Sequence, residues 1–179
     1  MMAGQTATLM TLAEVAATFA GFAALVTLFA RKRLQGHAAH DLMRLRLVIG
    51  ASVAVVMASL VPVAVAGFGV SQEIVWKTST LIFIGLIYFV ICGFLSSYKS
   101  VRGAFPPDRM AVTITLGLEI LIHAGLITIV LGQAEDRHFG IYVAALIATL
   151  GQAAFVFLRL VESSFSSMVS RTDQSFGTV

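Results

Sequence analysis

Charge is what this sequence has least of. Only 12% of its 179 residues are Asp, Glu, Lys or Arg, against about a quarter in soluble domains. An ordinary water-solvated domain is excluded. Cysteine occurs once, as Cys92, which excludes an intrachain disulfide and leaves the redox compartment unreadable. Chemistry-bearing motifs are also missing. There is no arginine ladder of the voltage-sensor type, no TVGYG-like filter, no phosphate loop, no Ser-His-Asp or metalloprotease arrangement, and no intrahelical His pair suited to haem. No hydrophilic stretch is long enough to fold a nucleotide-binding domain. Neither an enzyme nor a cofactor is expected.

What is present is apolar: 58% hydrophobic residues and a mean hydropathy of +0.93. A hydrocarbon core of about 30 Å takes roughly 20 apolar residues per helix. Five stretches qualify, at about 9–30, 46–70, 76–98, 110–132 and 139–161. The expected fold is all-α, an integral membrane bundle of five transmembrane helices. Residues 1–165 would form the transmembrane domain and 166–179 a polar cytoplasmic tail. The breaks between spans are short, so successive helices should be antiparallel neighbours. Ten of the twelve basic residues fall on one side; Lys77 and Arg137 alone fall on the other. The positive-inside rule then sets the N-terminus outside and the C-terminus inside. The first seven residues carry no positive charge and the basic cluster follows the first apolar run, so that run is expected to be a retained helix, not a signal peptide.

The first helix is rich in small residues, with Ala13, Ala17, Gly21 and Ala24 on one face. Small faces let helices approach closely in lipid, which favours a central place for this helix, in the protomer or around an oligomer axis. Glu14 shares a face with Thr18, Gly21, Leu25 and Leu28, and that face ends at a basic group, Arg31, Lys32 and Arg33. Lining a pore, it would present a carboxylate ring, an apolar constriction and a cytoplasmic basic ring. Equally, Glu14 could be protonated or reach the headgroups.

The fourth helix poses a sharper problem. Its segment GLEILIHAG, residues 117–125, places Glu119 and His123 in a run otherwise free of charge. A carboxylate near the bilayer centre costs about 3 kcal/mol on insertion scales. It must be neutral, paired or in water. His123, four residues on, lies directly above it on the helix, and the two could exchange a proton. Alternatively, the pair could bond Gln152 or Thr149 and fix helix register without moving any proton. At about 1.5 Å per residue, Glu14 lies about 8 Å from the outer end, His123 about 14 Å, and Gln152 and Glu119 about 20 Å. One polar column is a possible arrangement.

Three further features are read structurally. Pro62 should kink the second helix and free a carbonyl near Ala58, with Ser59 at hand to satisfy it. Trp76, Tyr98 and Tyr142 fall near helix ends, as aromatic-belt residues do. His37, His40 and Asp41 resemble part of a metal site, which normally needs three or four protein ligands and a satisfied second shell; with no further ligand nearby, a solvated loop and no metal are expected. The basic loops suit anionic lipid headgroups and call for no nucleic-acid partner.

The stretch AEVAATFAGFAALV, residues 13–26, followed by a basic loop and RLRLVIGASVAVVMASLVPV, residues 44–63, resembles the start of a group of small, largely uncharacterised bacterial multi-pass proteins. The resemblance covers the first two helices. It implies a location in the cell inner (plasma) membrane and no particular activity. Together these readings favour a homo-oligomeric channel for protons or small cations, with Glu14, Glu119, His123 and Gln152 as path candidates. The alternatives are a structural or accessory membrane subunit and a small secondary transporter.

Overall fold

A computed structural model describes residues 3–31, 38–99, 109–133 and 135–176. Five helices account for nearly all of them: α1 (Ala3–Arg31), α2 (Ala38–Ala66), α3 (Gln72–Lys99), α4 (Arg109–Val130) and α5 (His138–Phe176). A 3-10 turn, Glu135–Arg137, leads into α5. Each of the five helices holds a stretch long and apolar enough to cross a membrane.

The helices outrun the bounds expected from hydropathy, because hydropathy marks lipid thickness and a helix ends only where its hydrogen-bond ladder does. α1 begins at Ala3 rather than 9, and α2 at Ala38 rather than 46. α5 continues to Phe176, through most of the segment expected to be a tail. Polar side chains are accommodated by back-bonding: the Thr8 hydroxyl donates to the Gly4 carbonyl at 3.0 Å and Thr11 to Ala7 at 3.1 Å.

Helix ends have local causes. α2 stops at Ala66, short of 70, as the chain turns through Gly67 and through Gly69 at φ 71°. Ser71 then caps α3, its hydroxyl accepting the Ile74 amide at 3.4 Å. α4 closes with a Schellman motif. The Gln133 amide bonds the Thr128 carbonyl at 2.9 Å and the Gly132 amide bonds Ile129 at 3.0 Å. Gly132 takes the left-handed conformation, φ 71°, that the motif demands.

Short connections make the helices alternate in direction. One end of the bundle, the turn end, holds the α2–α3 and α4–α5 turns and the start of α1. The other, the basic end, holds the starts of α2 and α4. Helices α2, α3, α4 and α5 form a closed ring in which α5 packs back on α2, and α1 lies outside it along the α2–α5 seam. Within the protomer α1 is therefore peripheral, so the first of the two central places its small residues suggested, inside the protomer, is not the one it takes. Ala13, Ala16 and Ala23 are buried; they let α1 seat closely on the ring. Phe19 and Phe22 both meet the edge of Phe157, at 5.6 and 5.7 Å.

The core has two parts. At the turn end all five helices contribute, through Leu9, Val55, Phe83, Leu126 and Leu146 among others. At the basic end Ala23, Leu45, Val48, Ala153 and Phe157 build a smaller cluster to which α3 and α4 contribute nothing. Among the described residues, none beyond Ile87 on α3 and none before Ile122 on α4 is fully buried.

Pro62, buried in α2, leaves the Ala58 carbonyl without its helical donor. The hydroxyl of Tyr142 supplies one from α5, at 2.8 Å. Ser59 does not take this role, and its own hydroxyl has no partner. Nor do Trp76 and Tyr142 form an aromatic belt. Both are buried, with ring centroids 5.6 Å apart, and Phe83 lies 5.8 Å from Tyr142. A phenol beside a proline-freed carbonyl is satisfied inside the protein and gains nothing from an interface.

Helix contact in the ring sets a first prediction. A side chain at Gly125 would meet Ile141 Cγ2 at 3.2 Å, whereas at Gly117, two turns earlier, nothing lies within 4 Å. Gly125→Leu is expected to force α4 from α5 at a cost of about 1–3 kcal/mol. Gly117→Leu should change stability by under about 0.5 kcal/mol. Unfolding of the two variants in mixed detergent micelles checks the contrast.

Candidate functional site: a polar layer between two apolar clusters

Between the two core clusters lies a polar layer. It is built on α4 and α5 and faced by α2 and α3. Glu119 and His123 occupy successive turns of α4, and each side chain is about four-fifths buried, at 19% and 18% exposure. His123 Nδ1 lies 2.9 Å from the Glu119 backbone carbonyl and 3.4 Å from its Oε1. A carbonyl can only accept, so Nδ1 carries hydrogen and donates. In the neutral ring Nε2 is then the basic nitrogen. That atom is buried without a partner, and so is Glu119 Oε1. The Tyr88 ring meets His123 edge-on at 5.3 Å.

From α5, the Gln152 amide nitrogen donates to the Thr115 carbonyl at 3.1 Å. Thr115 sits one turn before Glu119, so this bond ties α5 to α4 at the depth of the carboxylate. Thr149, one turn earlier on α5 and buried, donates its hydroxyl to Ala145 at 2.9 Å. Glu119, Thr149 and Gln152 lie at a partly open cavity of about 50 Å³ whose wall is otherwise apolar, with Ala51, Ala54 and Val90 among its residues. Apolar packing seals its turn-end side. Sparse packing of α3 and α4 lies toward the basic end.

The chain matches no known protein family. No characterised protein and no solved structure matches it either. Chemistry must therefore be argued from these groups alone. A carboxylate oxygen and an imidazole nitrogen one turn apart, neither with a hydrogen-bond partner, beside a small and mostly apolar cavity, are groups that can hold and pass a proton.

Of the residues singled out in the sequence, Glu119, His123 and Gln152 are brought together. Glu14 is not. It is exposed on α1, with Thr18, Gly21, Leu25 and Leu28 exposed on the same face, and α1 supplies no part of the cavity wall. Its backbone carbonyl accepts the Thr18 hydroxyl at 2.8 Å. The side chain of Arg31, and all of Lys32 and Arg33, lie outside the described residues, as do His37 and the side chains of His40 and Asp41. Among the described residues no three His, Cys, Asp or Glu side chains cluster to hold a metal.

Sequence reasoning missed a second set of buried polar groups. The hydroxyls of Ser79 and Thr80 on α3, like that of Ser59, are buried without partners in the turn-end half. Serine and threonine in an apolar span ordinarily bond back to the preceding turn, as Ser52 does to Val48 at 2.8 Å. No composition signal marks those that do not.

Proposed function

We propose that this chain is a multi-pass membrane protein, N-terminus outside and C-terminus in the cytoplasm, that conducts protons or small cations as a homo-oligomer. The path runs through the polar layer of each protomer. One observation carries the reading: Glu119, whose Oε1 is shielded from solvent and has no hydrogen-bond partner, lines a cavity, and His123 Nδ1 on the next turn lies 3.4 Å from that oxygen. A buried carboxylate used only for register should find a donor, because leaving it unpaired costs more than the contact contributes. A carboxylate that takes up and gives off a cation needs its oxygen free.

Charge supports the orientation, since the basic end would lie at the cytoplasmic leaflet, where Arg44, Arg46 and Arg109 meet anionic lipid. Glu14 supports assembly. On a lone protomer it is exposed within an apolar span, and a second copy packed on that face of α1 would take it out of lipid.

The test is flux. Purified protein in sealed vesicles should collapse an imposed pH gradient once a counter-ion path is provided, and His123→Ala should slow the collapse by about tenfold or more. Vesicles that hold the gradient as well as protein-free ones, with sodium, potassium and protons each tried at both polarities, would sink the reading. The Gln152–Thr115 bond favours one rival, an accessory subunit whose polar residues pin helix register. That rival expects silent vesicles and a stoichiometric partner on mild purification.

A further inference from the structure

We propose that the cavity beside Glu119 seats the end of a phospholipid acyl chain, which enters between α3 and α4 from the leaflet at the basic end and keeps its phosphate at Arg109. Binding does not rest on the conduction reading. Under that reading a seated chain keeps water from Glu119 and closes the path, and its departure opens it.

The wall selects the occupant. Almost all of its surface is apolar. Of its three polar residues, Glu119 has Oε1 shielded, Thr149 spends its hydroxyl hydrogen on the Ala145 carbonyl and Gln152 spends its amide nitrogen on the Thr115 carbonyl. An enclosed water needs two to four polar partners, and apolar cavities stay dry. Hydrocarbon needs no such partner and makes the dispersion contacts that a gap forfeits. At about 10–15 Å³ for each water-sized group, about 50 Å³ takes roughly four, and a methylene is a group of that size.

Topology selects the entrance. Among the described residues, α2, α3 and α5 supply all of the wall but one residue, and α4 supplies only Glu119. From Glu119 toward the basic end the α4 side of the wall is therefore missing. Along that stretch Val112, Ile114 and Leu116 are exposed, and neither α3 nor α4 joins the apolar cluster at this end. Every wall residue lies within a span long and apolar enough to cross a membrane. A side opening at that depth meets acyl chains.

Length and charge select a phospholipid of one leaflet. Arg109 is exposed at the start of α4, and Glu119 follows ten residues later. At about 1.5 Å per residue the two are about 15 Å apart along the helix, half of a hydrocarbon core of about 30 Å. A chain whose phosphate sits at Arg109 thus ends at the depth of the cavity. Arg46, exposed on α2 at the same end, adds positive charge and favours an anionic headgroup.

The experiment uses the full chain in vesicles of phosphatidylcholine and phosphatidylglycerol, with a trace of either phospholipid carrying a photoreactive diazirine on the last carbon of one chain. Illumination should label Ile87, Val90 and Ile91, which line the cavity, above the exposed Tyr88 and Phe89 beside them, as read by tandem mass spectrometry. A diazirine next to the ester should label α4 near Arg109 instead. Ala54→Leu and Ala51→Leu each fill the space from α2 and should lower labelling of the wall by about tenfold, with unfolding in detergent unchanged or later. Arg109→Ala should lower labelling by the phosphatidylglycerol probe about fivefold, the effect of one basic residue at an anionic surface, and labelling by the phosphatidylcholine probe less. Adducts confined to Tyr88, Phe89 and other exposed positions would overturn the site, as would wall labelling that both filled variants leave unchanged. Cross-links between protomers at the opening, in place of lipid adducts, would overturn it in favour of a second copy of the chain. Wall labelling with silent vesicles removes the conduction reading and leaves this site; conducting vesicles with no wall labelling do the reverse.

Discussion

Vesicles carrying Glu119→Gln should retain a pH gradient that vesicles carrying the natural protein dissipate, with the rate lowered by about a hundredfold, the scale of losing a proton-transfer group. The substitution is close to isosteric, so size does not explain a loss. Energetically it should be harmless. Glutamine keeps the size of the side chain and replaces an acid whose Oε1 has no hydrogen-bond partner to lose. Unfolding in detergent should therefore be unchanged or later. The pairing of outcomes is diagnostic: lost flux with kept stability assigns Glu119 to the path, whereas kept flux with lowered stability assigns it to packing. Glu119→Asp, which retains the carboxyl and withdraws it by one methylene, should restore part of the rate.

The largest structural effect is expected at the Tyr142–Ala58 hydrogen bond. Tyr142→Phe leaves the Ala58 carbonyl buried with neither a helical donor nor a phenol, since Pro62 has no N–H to offer. Such an orphan costs about 1–3 kcal/mol. The same substitution in a Pro62→Ala background should cost much less, because residue 62 then donates to Ala58 within the helix. The coupling between the two sites should reach about 1 kcal/mol or more, in a cycle of four proteins unfolded under identical conditions. Additive effects would mean that the carbonyl finds another donor when Tyr142 is lost.

How much of this was legible beforehand depended on distance along the chain. The five spans followed from apolar length alone, and Glu119 with His123 from a four-residue spacing. Helix ends did not, because Gly67, Gly69 and the Ser71 cap decide them, whereas hydropathy ran the second span on to 70 and opened the third only at 76. Gln152 was visible as a polar residue at matching depth, yet its acceptor, a backbone carbonyl on another helix, has no signature. The Tyr142 bond spans 84 residues; neither end announces it, and Tyr142 resembled a residue bound for the interface. The place of the first helix within the protomer was not legible for a related reason. Small residues signal close approach, and close approach serves a helix leaning on the outside of a ring as well as one at its centre.

The position of α1 has a consequence for synthesis. Of the five helices α1 is made before the ring it rests on, for its seat is the seam between α2 and α5. An α1–α2 hairpin can pair early. The contact of Phe19 and Phe22 with Phe157 must wait until α5 is inserted. Until then α1 is held by α2 alone, and the flank that carries Phe19 and Phe22 is open to lipid or to the insertion machinery. A chain arrested before α5 should therefore keep the α1–α2 hairpin but leave these two rings uncovered.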